Sequence, residues 1–121
     1  MERRGQKYHR ERLAEAIREE IETIVEGELG DPRIGLVAVT AVELAEDSRS
    51  ARVLVAVEGD ENEAAHSLQG LQAAVGFVRH ELAERLRLRR APELFFQLDN
   101  SQKYEARIQE LLSRVRKRRN G

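Results

Sequence analysis

Two β-like runs of this chain, residues 51–57 and 93–98, are separated by a helical pattern reaching from about residue 62 to residue 88. A link of that length and period can carry the chain back across a sheet, so the two strands can pair in parallel instead of as a hairpin. The link between residues 45 and 51 is short and holds Glu46-Asp47-Ser48, which is turn chemistry. Residues 34–45, rich in Val, Ile and Thr, therefore form an antiparallel hairpin with 51–57.

Helical periodicity supplies the rest of the outline. Leu13, Ile17, Ile21, Ile24, Val25 and Leu29 recur at steps of three and four, predicting an amphipathic helix near 10–29 with Glu15, Glu19, Glu22 and Glu26 outside. Gly30 and Asp31-Pro32 stop it. In the long helical pattern Leu68, Leu71, Val75, Val78, Leu82 and Leu86 hold the spacing, and Gly70 and Gly76 interrupt it. Gly76 is read as a kink dividing two helices, because bends cluster at such positions. Gly59-Asp60-Glu61-Asn62 opens this pattern and Ala91-Pro92 closes it. Residues 93–98 make a third strand with Leu94, Phe96 and Leu98 on one face, and 102–119 a last helix with Ile108, Leu111, Leu112 and Val115 inward. The expected fold is α+β, in the order α-β-β-α-kink-α-β. Its three-stranded sheet is backed by helices on one face, and a C-terminal helix follows.

Composition narrows the function classes. With 40% hydrophobic and 36% charged residues the chain suffices for one core under a charged surface, and it is too apolar to be disordered. There is no cysteine, which excludes disulfides, thiolate metal sites and cysteine nucleophiles. No apolar run approaches the roughly 20 residues of a membrane span, and the first residues, MERRGQKYHRER, lack the apolar segment of a secretory signal. The cytoplasm is the expected location. His9, His66 and His80 stand apart, and no phosphate loop, dinucleotide fingerprint or metal-ligand spacing occurs, so neither an enzyme nor a metal or other cofactor is expected.

The net charge of -1 hides a lopsided distribution. Residues 1–12 carry five basic and two acidic side chains, 13–70 four basic and fourteen acidic, and 71–121 twelve basic and six acidic. Basic ends around an acidic middle point to nucleic acid, though solvated helix faces of mixed charge read the same way.

The element order resembles that of the type II KH domain, whose helix pair usually encloses a Gly-x-x-Gly loop that admits RNA backbone. Gly27-Glu28-Leu29-Gly30 matches that pattern by letter but lies at the end of the first helix, where it reads as a helix stop. The helix pair itself is broken at Ala74-Val75-Gly76, and this Ala-x-Gly kink resembles the ribosome-binding factor A family. Asp31-Pro32-Arg33-Ile34-Gly35-Leu36-Val37, Ala73-Ala74-Val75-Gly76-Phe77-Val78-Arg79, Leu86-Arg87-Leu88-Arg89-Arg90-Ala91-Pro92-Glu93-Leu94 and Arg107-Ile108 with Leu111-Leu112 are similar to that family's segments, in order, over residues 10–112. The basic residues are overwhelmingly arginine, with lysine only at 7, 103 and 117, which departs from many relatives.

The resemblance implies a monomeric, non-catalytic RNA-binding factor. It would bind the small (30S) ribosomal subunit late in its assembly and assist 16S rRNA maturation near the 5′-terminal helix, above all in the cold. Small-subunit ribosomal proteins are further partners it could meet. The RNA contacts expected are Ala74 and Gly76 at the kink, Arg79, Arg85, Arg87, Arg89 and Arg90 after it, Arg10 and Arg12 near the start, and Lys103. Arginine's planar fork suits phosphate and stacks on bases; a charged helix end favoured by the dipole accounts for the same run. Small residues at the kink also suit helix packing.

Residues 1–9 and 113–121 are expected as basic arms around a domain of 10–112, either rRNA-docking or merely solubilising. Of the aromatics, Phe77, Phe95, Phe96 and Tyr104 are expected mostly in the core, and Tyr8 as a stacking residue. Two rival functions remain: an adaptor that binds a basic protein through its acidic first helix, and a small hydrolase or nuclease, for which no catalytic constellation is present.

Overall fold

A computed structural model of the chain describes residues 4–27, 29, 31–99 and 103–120, and the side chains of all of these except 6, 103–107 and 118–120. The elements are α1 (Arg4–Gly27), β1 (Val37–Leu44), β2 (Ser50–Val57), α2 (Glu61–Ala73), α3 (Val75–Leu86), β3 (Glu93–Leu98) and α4 (Lys103–Asn120). The order is the expected one; α1 starts earlier than expected, at Arg4, while α4 agrees with the expected 102–119 to within a residue at each end. Residues 4–9, expected as part of an arm, open α1, and 113–120, expected as a tail, close α4. Arg, Lys, Gln and Glu are good helix formers, and only Gly5 interrupts the first of these stretches. The last gains an i,i+4 pair, Arg114–Glu110, at 2.6 Å. α1 ends at Gly27, earlier than expected; Glu28 and Gly30 lie outside the described residues.

The sheet has the order β1-β2-β3. β1 and β2 are antiparallel, and β3 lies parallel to β2 with Ser50 opposite Glu93 and Val55 opposite Leu98. The helical link is thus the crossover that its length allows. The pairing of β1 slips between Val39 and Ala41. This bulge explains a sequence that does not alternate cleanly: the extra residue, Thr40, lets Val37 and Val39 share a face with Val42 and Leu44.

That face, with Val53, Val55, Leu94 and Phe96, packs against Ile17, Ile21 and Ile24 of α1, Leu71 of α2, and Val78 and Leu82 of α3. Apart from the half-buried Val42 and Leu44, these residues are all buried. Each such side chain contributes about 1.5–3 kcal/mol of burial. α4 goes to the opposite face, where Ile108 and Leu111 cover Ala38 and Ala56. The alanines leave room for a helix to approach the strands closely.

α2 begins with a capping box. The Asp60 carboxylate accepts from the Glu63 amide at 2.9 Å and Glu63 accepts from the Asp60 amide at 3.3 Å. Ser67, buried on α2, accepts from the Gly35 amide at 3.0 Å and donates to the Arg33 carbonyl at 3.4 Å, tying the helix to the approach to β1. The bend between the helices falls at Ala74 (φ -88°, ψ 1°), which closes α2 and caps α3. Gly76 is not the pivot; it is the second residue of α3.

The two glycines of this pattern do different work. A Cβ on Gly70 would lie 2.6 Å from Cγ1 of Ile34, so this glycine lets α2 pass under the segment before β1. A Cβ on Gly76 would meet nothing within 4 Å. Gly70→Ala is expected to destabilise the fold by about 1–3 kcal/mol through overpacking, whereas Gly76→Ala gains up to about 1 kcal/mol of helix propensity. Urea denaturation of the two variants checks both signs.

Candidate nucleic-acid interface

Parallel pairing puts the starts of β2 and β3 at the same end of the sheet, where the Glu93 amide donates to the Arg49 carbonyl at 2.9 Å. α3 also ends there. Its C-cap, Arg87, adopts the left-handed conformation (φ 53°, ψ 43°), and the amides of Arg87 and Leu88 both reach back to the Ala83 carbonyl. Arg87, Arg89 and Arg90 emerge from this turn exposed, beside exposed Arg49. None of the four guanidinium groups has an ion-pair partner among the described residues. A left-handed non-glycine residue costs about 1–2 kcal/mol, so an arginine is held where glycine would fit better.

Sequence reasoning missed Arg49. Thirty-eight or more positions separate it from the other three arginines in the chain, and only the parallel register joins them. Arg52, three residues on, is already paired across the hairpin with Glu43.

Two of the expected contacts are engaged inside the fold. Arg79 donates from Nε to the Pro92 carbonyl at 3.0 Å and from Nη2 to the Ala91 carbonyl at 2.9 Å. It clamps the segment leading into β3 onto α3. Arg85 lies 3.6 Å from Glu20 of α1 and 3.2 Å from Glu81. Both are thus held by partners inside the fold, next to the arginine turn. Arg33 is likewise satisfied by Asp31, whose carboxylate it grips through Nε and Nη2; these bonds and the Arg33 amide hold the Asp31 pKa down to about 2.

The bend lies alongside the first half of β3. On one side of it Gln72 accepts from the Phe96 amide at 3.5 Å, and on the other Arg79 holds Ala91 and Pro92. Ala74 is half-buried, Gly76 is exposed, and α3 has no side-chain cap. Bare backbone at an uncapped helix start suits a phosphate. With open space around Gly76, packing explains Gly70 and leaves Gly76 unexplained by the fold.

On α1, Arg4, Lys7 and Arg12 are exposed, with the Arg12 guanidinium 5.8 Å from the centre of the Tyr8 ring. Arg10 is half-buried and already has a partner. Tyr8 is 58% exposed, as a stacking residue must be, but Phe77 and Phe95 are also about half exposed, at 48% and 50%. This corrects the expectation that the phenylalanines are mostly core. Phe95 lies on the sheet face that α1–α3 do not cover, and Phe96 alone of the three is buried. The side chains of Lys103 and Tyr104 lie outside the described residues. The opposite end of the sheet, where β2 runs into α2, carries Glu58, Asp60, Glu61 and Glu63, all exposed. Among the described residues no cluster of His, Cys, Asp or Glu is suited to a metal, and no helix is long and apolar enough to cross a membrane.

A three-stranded sheet of this order, with a helical crossover bent beside its edge strand, defines an α+β domain of the KH-like class. The family model for ribosome-binding factor A matches residues 9–112. The ribosome-binding factor A of Koribacter versatilis (strain Ellin345) is 61% identical over 98% of this chain and 97% of that protein. The crystal structure of ribosome-binding factor A from Thermus thermophilus superposes with a TM-score of 0.57 at 33% identity, covering 78% of this chain and 94% of that one. A homology model of a Thermus thermophilus ribosome-binding factor A, fitted into a cryo-EM map of a 30S complex, superposes with a TM-score of 0.53 at 35% identity, over 74% of this chain and 89% of that one. The chain belongs to the ribosome-binding factor A family.

The division of the arginines is open to a stability test. Arg79→Ala is expected to cost about 1.5–3 kcal/mol, since it removes hydrogen bonds from a charged donor and orphans two carbonyls. Arg87→Gly is expected to raise stability by up to about 1 kcal/mol by relieving the left-handed backbone. Chemical denaturation distinguishes these opposite signs.

Proposed function

We propose that this protein binds the small ribosomal subunit through the arginine turn, the neighbouring Arg49 and the bare helix start at Gly76, and that it acts without catalysis. The observation that carries the reading is the group of four exposed, unpaired arginines that the fold assembles at one end of the sheet. Membership of the ribosome-binding factor A family and the likeness to a protein fitted into a 30S complex supply the target. Phosphate contacts give the affinity, because guanidinium forks meet phosphate oxygens two at a time. The rigid bend beside β3 gives the selectivity, because a fixed surface fits one folded region of rRNA.

In this reading the protein acts in the cytoplasm as a monomer during late assembly. It assists 16S rRNA maturation near the 5′-terminal helix, with the greatest demand in the cold. The basic start of α1 extends the same contact, whereas Lys103 opens α4 just past the end of β3, at the opposite end of the sheet, and stands apart from it. The adaptor reading loses some support because Arg18 pairs with both Glu15 and Glu22 and offsets one of their two charges on the acidic face of α1.

Co-sedimentation with purified small subunits tests the proposal. Binding is expected to fall with salt at a log–log slope of about -3 to -5 if roughly 4–6 phosphates are neutralised. Substituting Arg87, Arg89 and Arg90 together by Glu is expected to abolish it while leaving the fold intact. Salt-independent binding, or full binding by the triple variant, would contradict the proposal.

A further inference from the structure

At the acidic end of the sheet the fold leaves a groove of about 460 Å³ between the first turns of α2 and the ends of β2 and β3. Its walls are apolar: Val55, Val57, Ala64, Ala65, Leu68 and Leu98. The small alanines of α2 do not fill the space that a larger residue there would take. Asp99 lines the same groove but is buried and engaged, receiving a hydrogen bond from the Thr40 hydroxyl.

The mouth is negative. No lysine or arginine occurs between Arg52 and Arg79, while Glu58, Asp60, Glu61 and Glu63 follow β2. Asp60 and Glu63 are used in the capping box. Glu58 and Glu61 are exposed and have no partner among the described residues. Such a rim repels the phosphates of RNA. An apolar groove under unpaired carboxylates is complementary to a cationic polypeptide: lysine and arginine stems lie along apolar walls while their charges meet the rim.

We infer that this groove docks an extended, lysine- or arginine-rich segment of a second protein on the small subunit. One apolar side chain of that segment enters between Ala64, Leu68 and Leu98, and flanking cations pair with Glu58 and Glu61. The inference rests on the small-subunit reading above, and it assigns the end of the molecule opposite the arginine turn to protein instead of rRNA.

Because the chain has no cysteine, Asn62→Cys gives one attachment point for a benzophenone maleimide on the exposed side of the first turn of α2, beside the rim. Co-sedimentation of labelled and unlabelled chains with purified small subunits comes first. Failure of both to bind removes the parent reading and this one with it. With the labelled chain bound, irradiation is expected to yield a cross-link to a small-subunit protein. A cross-link to rRNA, or none, would overturn the inference; loss of binding in the labelled chain alone, with the unlabelled chain bound, would mean that the label obstructs the rim and would support it.

Charge reversal supplies an independent sign. Glu58→Lys with Glu61→Lys is expected to weaken subunit binding about fivefold to tenfold at low salt if the rim meets cations. Binding that is unchanged or tighter would mean that the rim faces solvent or RNA, and would sink the proposal. The milder pair Glu58→Gln and Glu61→Gln should weaken binding by a smaller factor, and thermal melting of each variant shows whether the fold persists.

Discussion

The pairing of β3 alongside β2 in parallel is the constraint on which the rest of this structure depends. It requires a crossover, and the crossover is what places α2 and α3 on the face already covered by α1. It also sets the ends of the molecule. Because β2 and β3 run the same way, the turn that follows β1 and the turn that follows α3 lie together, and the hydrogen bond from Glu93 to Arg49 fastens them. An antiparallel third strand would have put the arginine turn at the opposite end, among the acids that follow β2.

Residues of one type then take separate roles according to where the crossover leaves them. Arg79 holds the α3–β3 segment and Arg85 pairs with α1 and its own helix, whereas Arg87, Arg89 and Arg90 lie exposed past the end of the helix with no ion-pair partner among the described residues. Gly70 sits beneath Ile34 and is required by packing, while Gly76 sits in open space. The strained backbone at Arg87 fits the same division. Where stability alone decides, a helix of this kind closes on glycine, and departures of that sort gather where a side chain has other work.

The resulting charge separation follows the strand axis. Four unpaired guanidinium groups stand at one end, with the exposed carboxylates of Glu46, Asp47 and Glu93 near them, and Glu58, Asp60, Glu61 and Glu63 gather at the other, although the chain as a whole is nearly neutral. A polyanionic ligand is repelled by the second end and finds guanidinium forks at the first.

Much of the fold is legible in the sequence because period and punctuation are local properties. The spacing of Ile17, Ile21 and Ile24 identifies the inner face of α1, the alternation of Leu94 and Phe96 that of β3, and Ala91-Pro92 the boundary between helix and strand. The run from Arg87 to Arg90 stands out by composition alone, and the segments shared with ribosome-binding factor A mark the family. What the sequence left open depends on contacts between distant segments. The position of the bend, at Ala74 instead of Gly76, follows from how the two helices seat on the sheet. The inward register of Val42 and Leu44 depends on a bulge that only strand pairing creates. Whether an arginine is free or bound depends on which carbonyls and carboxylates come within hydrogen-bonding reach of it, and Arg49 joins the site solely through a register that no local pattern encodes. Local patterns fixed the elements and the family; long-range pairing decided which of the charged residues remain available to a partner.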